Sequence, residues 1–158
     1  KKNVSIPIIS SAFDSGLPED YVSLVEDRLY YYQSLAMADS IEKMSAIESG
    51  LRDRFGLPPP EASFLLEISK MRVLFTNTSL KKLSLFKNTI VLTVVSFFPF
   101  MSFGDFNSAL LTLFKITEKN LSFKTNKNKN ISISISGTDV GCSSIKKISN
   151  LLESLFLK

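Results

Sequence analysis

Hydrophobic spacing changes period along this chain, from helical in the first half to alternating in the second. Val4, Ile6 and Ile8 alternate with Asn3, Ser5 and Pro7, which predicts a short half-buried strand. Pro7 lacks a backbone donor, so that strand belongs at a sheet edge. Asp14-Ser15-Gly16 turns the chain, and Ser23 with Glu26 forms an S-x-x-E capping box. A helix is therefore predicted from about Leu24 to Ala38, with Val25, Leu29, Tyr32 and Ala36 on its buried face and Tyr30 and Tyr31 off it. Asp39 and Glu42 repeat the capping pattern, and Ile41, Met44, Ile47, Leu51 and Phe55 follow at helical spacing. Gly56 ends that helix, with Leu57 packing back on Leu51 and Pro58 preventing continuation. Pro60 suits the first turn of a third, apolar helix running to about Phe75.

After Thr78 the period shortens. Leu80, Leu83 and Leu85, then Ile90 to Val95, predict two strands joined at Lys87-Asn88. Asp105 to Glu118 predicts a helix with Phe106, Leu110, Leu113 and Phe114 inward. A second strand pair, Leu121 to Thr125 and Ile131 to Ile135, flanks the polar run Asn126-Lys127-Asn128-Lys129-Asn130, and Ser144 to Leu157 forms a last amphipathic helix. The second half thus reads as two strand-strand-helix units in tandem. The whole predicts one α+β domain over 1–158, with a strand-plus-helical part at 1–77 and a sheet-and-helix part with a mostly antiparallel sheet at 78–158.

Composition bounds the chemistry. The 158 residues hold one cysteine, Cys142, and no histidine. A lone cysteine forms no internal bridge and suggests a reducing compartment, so a cytoplasmic location is the expectation. Without histidine the commonest general base and metal ligand is missing, and no metal or cofactor is expected. Gly137 to Ser144 lacks the spacing and lysine of a phosphate loop, and Gly141-Cys142-Ser143 has no base to activate its thiol. Gly141 then reads as a turn and Ser143 or Ser144 as a helix cap. Glu19, Asp20, Glu26 and Asp27 sit at a helix start, where acids favour the dipole. No catalytic residue is expected. The longest uncharged run, 17 residues between Lys87 and Asp105, is broken by Pro99 and Gly104, so it predicts a strand and an aromatic loop rather than a membrane span.

Charge is divided between the halves. Lys1 to Asn77 carries 8 basic and 11 acidic residues, a balance of −3, whereas Thr78 to Lys158 carries 11 and 4, a balance of +7. All four arginines, Arg28, Arg52, Arg54 and Arg72, lie in the first part. The lysines Lys81, Lys82, Lys87, Lys119, Lys124, Lys127, Lys129, Lys146 and Lys147 offer a phosphate-binding surface, and an alternative function is a basic nucleic-acid-binding accessory domain. Lysine in turns and on edge strands equally blocks aggregation. The run Phe97-Phe98-Pro99-Phe100 with Phe103 is either core or an exposed docking patch, the latter serving dimerisation. On the second helix, Glu42, Ala46, Ser49, Gly50 and Asp53 line the side away from Met44, Ile47 and Leu51. Its small centre permits close approach, and Asp53 offers a bidentate carboxylate to an arginine.

The corner Gly50-Leu51-Arg52-Asp53-Arg54-Phe55-Gly56-Leu57-Pro58-Pro59-Pro60 resembles the E-L-x-D-R-F-G-x-L-P signature of the C-terminal domain of bacterial transcription-repair coupling factor. That family is a DNA translocase that removes stalled RNA polymerase and recruits excision repair. Arg28-Leu29-Tyr30-Tyr31-Tyr32 is similar to its R-L-x-x-Y. Ala12-Phe13 with Leu17-Pro18-Glu19-Asp20-Tyr21-Val22 is similar to its A-Y-I-P-x-x-Y-V entry, so the likeness spans about Val4 to Leu74. The resemblance implies a non-catalytic regulatory clamp that docks on the parent protein's own UvrB-like module and masks recruitment of UvrA. It implies that ATP, DNA and RNA polymerase are handled by other parts of a longer polypeptide, of which this chain is expected to be a piece. Asp53 matches the family aspartate, whereas Gly50 stands where glutamate is usual. The implied interface therefore rests on Asp53, Gly50, Ser49 and Glu42, with Arg52 and Arg54 secondary, and is either weakened or carried in part by Glu48.

Overall fold

Three helices built from the acidic first half close around their own apolar cluster. The computed structural model describes residues 4–95, 102–138 and 144–157, without the side chain of Phe103. The chain divides into two compact units, one of residues 14–74 and one joining the segment up to Phe13 with that from Phe75 onward. In the first, α1 (Val25–Met37), α2 (Ile41–Phe55) and α3 (Pro60–Leu74) bury Leu17, Val22, Tyr31, Leu35, Met44 and Leu51 together with Ala38, Ala62 and Leu66.

The face that α1 buries differs from the one its spacing suggests. Tyr31 and Leu35 point inward, whereas Val25, Leu29 and Tyr32 are 54%, 55% and 38% exposed and Ala36 is exposed as well. Polar anchors decide the rotation. Arg28 donates from Nη1 to the carbonyls of Val22 (2.7 Å) and Ser23 (3.0 Å), and Arg72 donates from Nη2 to those of Leu35 (2.7 Å) and Ala38 (3.1 Å). Both ends of α1 are thereby fixed with Tyr31 between them. Ser23 is not the cap either: the helix starts one residue later, behind Leu24, which makes no side-chain capping bond. At α2 the cap is Ser40, whose hydroxyl accepts from Lys43 N, while Asp39 pairs with Lys43 Nζ at 2.7 Å. Ser40 sits one position nearer the helix than Asp39 and so reaches the orphan donor.

Gly56 ends α2 at φ 86°, ψ −165°, its N–H donating to the Arg52 carbonyl. This backbone region is open to glycine and strained for residues with a Cβ. It throws Leu57 outward, 78% exposed and off Leu51. Pro60 then takes the first position of α3 as its fixed φ favours.

The second unit is a five-stranded sheet in the order β1-β2-β3-β5-β4, formed by β1 (Ile8–Ser11), β2 (Leu80–Leu85), β3 (Thr89–Val94), β4 (Leu121–Thr125) and β5 (Ile131–Ser136). All neighbouring pairs are antiparallel except β1 with β2. This α+β arrangement, an N-terminal edge strand, three helices and strand-strand-helix twice, agrees with the sequence reading. Each hairpin contributes its second strand to the centre, where Ile90 faces Ile135 and Leu92 faces Ile133. A bulge between Leu80 and Lys82 absorbs the odd spacing of Leu80 and Leu83, so both are buried. The β4–β5 turn is held by Asn126, whose Oδ1 accepts from the backbone N–H of Asn128 and Asn130, while Lys129 takes φ 62°.

At the edge, pairing starts only after Pro7. Pro7 is buried, whereas Val4, Ile6 and Ile8 are more than half exposed, the reverse of the alternation expected there. The missing donor of Pro7 keeps the chain out of the ladder until Ile8. The two remaining helices are α4 (Phe103–Phe114) and α5 (Ile145–Phe156). α4 stops short of Glu118 because Lys115 turns left-handed (φ 51°, ψ 46°). Phe106 and Phe75 meet Phe156 edge-on at centroid distances of 5.8 and 6.1 Å. Phe97, Phe98 and Phe100, and likewise Gly141, Cys142 and Ser143, lie outside the described residues. Among the described residues no helix is long and apolar enough to cross a membrane, and no cluster of three His, Cys, Asp or Glu side chains is placed to hold a metal ion.

Candidate interaction site on α2

The amphipathic spacing that buries Met44 and Leu51 leaves the opposite side of α2 to solvent. Glu42, Ala46, Ser49 and Asp53 are exposed along it, and Gly50 is half-buried. Among the described residues Asp53 makes no hydrogen bond or ion pair. An open groove of about 320 Å³, lined by Ser34, Met37, Ala38, Lys43, Ala46 and Ile47, meets this stripe at Ala46.

The neighbouring charges are engaged within the unit. Arg54 donates from Nη1 to the Tyr31 hydroxyl at 3.4 Å and from Nη2 to Asp27 Oδ1 at 3.2 Å. Its guanidinium carbon lies 4.9 Å from the Phe55 ring centroid and 5.8 Å from that of Tyr31, distances at which a cation is held by the ring faces. The bond to Tyr31, and then that to Asp27, raise the Arg54 pKa above its ordinary value. Arg52 pairs with Glu48 one turn back, Nη2 to Oε1, at 3.3 Å. Tyr21 donates its hydroxyl to the Gly56 carbonyl at 2.9 Å, and burial pushes that phenol's pKa up, with the Arg52 charge opposing and Tyr31 adding.

Gly50 has a specific neighbour. A Cβ there would stand 3.4 Å from the Tyr31 hydroxyl and 3.9 Å from its Cε1, so the position is set against α1 as well as toward solvent. The sequence thus brings Glu42, Ser49 and Asp53 to one open face and ties Arg52, Arg54 and Gly50 to neighbours in the same unit. Sequence reading missed Tyr31 and Asp27. The consecutive Tyr30-Tyr31-Tyr32 gives no signal for which ring turns inward, and Asp27 reads as a first-turn acid.

The TRCF domain family pattern matches residues 12–97, which contain α1, α2 and α3 and the first hairpin. The chain belongs to the TRCF domain family. Its curated relatives are transcription-repair-coupling factors. The protein from Haemophilus influenzae is 40% identical over 58 residues, covering 37% of this chain and 5% of that protein. That from Escherichia coli is 36% identical over 67 residues, 42% of this chain and 6% of the relative. The matched segments of this TRCF domain thus cover only about a twentieth of the length of these relatives. The crystal structure of the C-terminal domain of a transcription-repair coupling factor superposes with a TM-score of 0.72 over 98% of this chain and 94% of that one, at 18% identity. That likeness extends to the fold of the second unit, beyond the sequence match.

Proposed function

We propose that this TRCF domain is a non-catalytic autoregulatory interaction domain. It docks through the open face of α2 on the UvrB-like module of its own parent protein, masks recruitment of UvrA and restrains an ATP-dependent DNA translocase acting in transcription-coupled repair. ATP, DNA and RNA polymerase are contacts of the parent's other domains. The observation that carries this reading is Asp53, an exposed carboxylate with no partner among the described residues, on a stripe whose small residues Ala46, Ser49 and Gly50 permit close approach. A carboxylate so placed can accept both arms of an arginine. Arg52 and Arg54 hold the corner that presents it, and Glu42 extends the acidic edge.

Binding of the purified chain to the parent's UvrB-like module tests this. Asp53→Ala is expected to cost about 2–5 kcal/mol of docking, a loss of roughly thirtyfold or more, without lowering the unfolding midpoint, because Asp53 has no partner among the described residues and alanine is the better helix former. Unchanged affinity refutes the contact.

A further inference from the structure

The second unit contains a cavity of about 500 Å³. It lies where the left-handed Lys115 ends α4, where Gly137 and Thr138 follow β5, and where the first turns of α5 begin. Leu113, Phe114, Ile116, Ile148 and Leu151 supply its apolar lining, and among the described residues no carboxylate lines it. Its polar lining is Lys115, Lys147, Asn120 and Thr138, with Ser144 at the α5 N-terminus.

Four donors in this lining have no partner among the described residues. Thr138 Oγ1 is buried and has no hydrogen-bond partner among the described residues, and such orphans are rare because an unpaired buried hydroxyl is costly. The Asn120 side chain forms no hydrogen bond among the described residues, and its Nδ2 lies 3.9 Å from where a Cβ on Gly137 would stand. Lys115 and Lys147 make no ion pair among the described residues. Lys115, Lys147, Asn120 and Thr138 line the same cavity as the first turns of α5, and cationic and neutral donors beside a helix N-terminus favour negative charge. The volume falls in the range of small-molecule sites, which likewise join an apolar wall to a few placed polar groups.

We propose that this cavity binds a small amphiphilic anion, a carboxylate or phosphate-ester head held by Lys115, Lys147, Asn120 and Thr138 with its apolar body against Phe114, Ile148 and Leu151. The proposal does not depend on the docking reading.

Octanoate, octyl phosphate, octanol and inorganic phosphate are the probes, titrated into the isotopically labelled 158-residue chain and followed by amide chemical shifts. Octanoate or octyl phosphate, whichever matches the head group, is expected to give saturable shifts confined to residues 113–120, 137–138 and 144–151. Octanol and inorganic phosphate should bind at least about tenfold more weakly, since each lacks one half of the recognised chemistry. Lys115→Gln and Lys147→Gln should each raise the Kd by about tenfold, without moving the unfolding midpoint. The proposal is overturned if neither amphiphile saturates below about 10 mM, if octanol or inorganic phosphate binds as tightly, or if the double lysine variant keeps full affinity.

Discussion

Leu35 and Leu29 lie on opposite sides of α1, 3% and 55% exposed, and truncating each to alanine measures which way the helix faces. Leu35→Ala empties a place among Tyr31, Met44, Leu51 and Leu66, which predicts a loss of about 3 kcal/mol from transfer and residual cavity together. At Leu29 less than half of the side chain is covered. Its contribution is under about 1 kcal/mol, partly offset by alanine's better helix propensity. The gap of about 2 kcal/mol is roughly thirtyfold in the unfolding equilibrium. Urea unfolding followed by circular dichroism reads it directly, with the slope unchanged and only the midpoint moved. Equal losses, or a larger loss at Leu29, would refute the observed register and restore the face that simple spacing suggests.

Gly50→Ala should stabilise the chain by about 0.5–1 kcal/mol, because alanine removes the mid-helix glycine penalty and its Cβ meets the Tyr31 hydroxyl at an ordinary 3.4 Å. A lowered urea midpoint would mean that this contact cannot yield. Asp39, hydrogen-bonded to Lys43 Nζ at 2.7 Å, has its pKa held below the ordinary carboxylate value by that bond and then by the Lys43 charge. The folded state is thus the one that favours ionised Asp39. The stability this gives is present above the ordinary carboxylate pKa and lost as pH falls through the lowered one. Asp39→Asn should lower the midpoint slightly near neutral pH and leave it unchanged near pH 2. A deficit that persists in acid contradicts the ionic origin.

Most secondary elements were legible because they rest on local chemistry. Pro60 starts α3, Gly56 stops α2, and the strict Ile-Ser alternation of Ile131–Ser136 admits only one strand face. The α2 stripe was legible for the same reason: one strongly apolar side leaves one polar side. Strand order was not, since the antiparallel pairing of β3 with β5 joins residues far apart in sequence through contacts that no local pattern encodes.

The rotation of α1 marks the boundary between sequence and tertiary structure. Its sequence supports two stripes, Val25-Leu29-Tyr32-Ala36 and Tyr31-Leu35-Ala38, and hydrophobicity alone favours the first. The structure buries the second because Tyr31 finds Phe55 for its ring, at 6.0 Å, and Arg54 for its hydroxyl, while the arginines anchor both ends of the helix. The Thr138 hydroxyl, unpartnered among the described residues, and the lysines that line the same cavity also emerge only in three dimensions, since as residues they read as a loop and a solvated surface. The order and type of most elements, the family that the corner resembles and the lack of histidine-based chemistry could be read from the amino-acid sequence alone. Tertiary structure decided which polar groups find partners and which are left for a ligand or another protein, because a hydrogen bond depends on distances that spacing along the chain does not set.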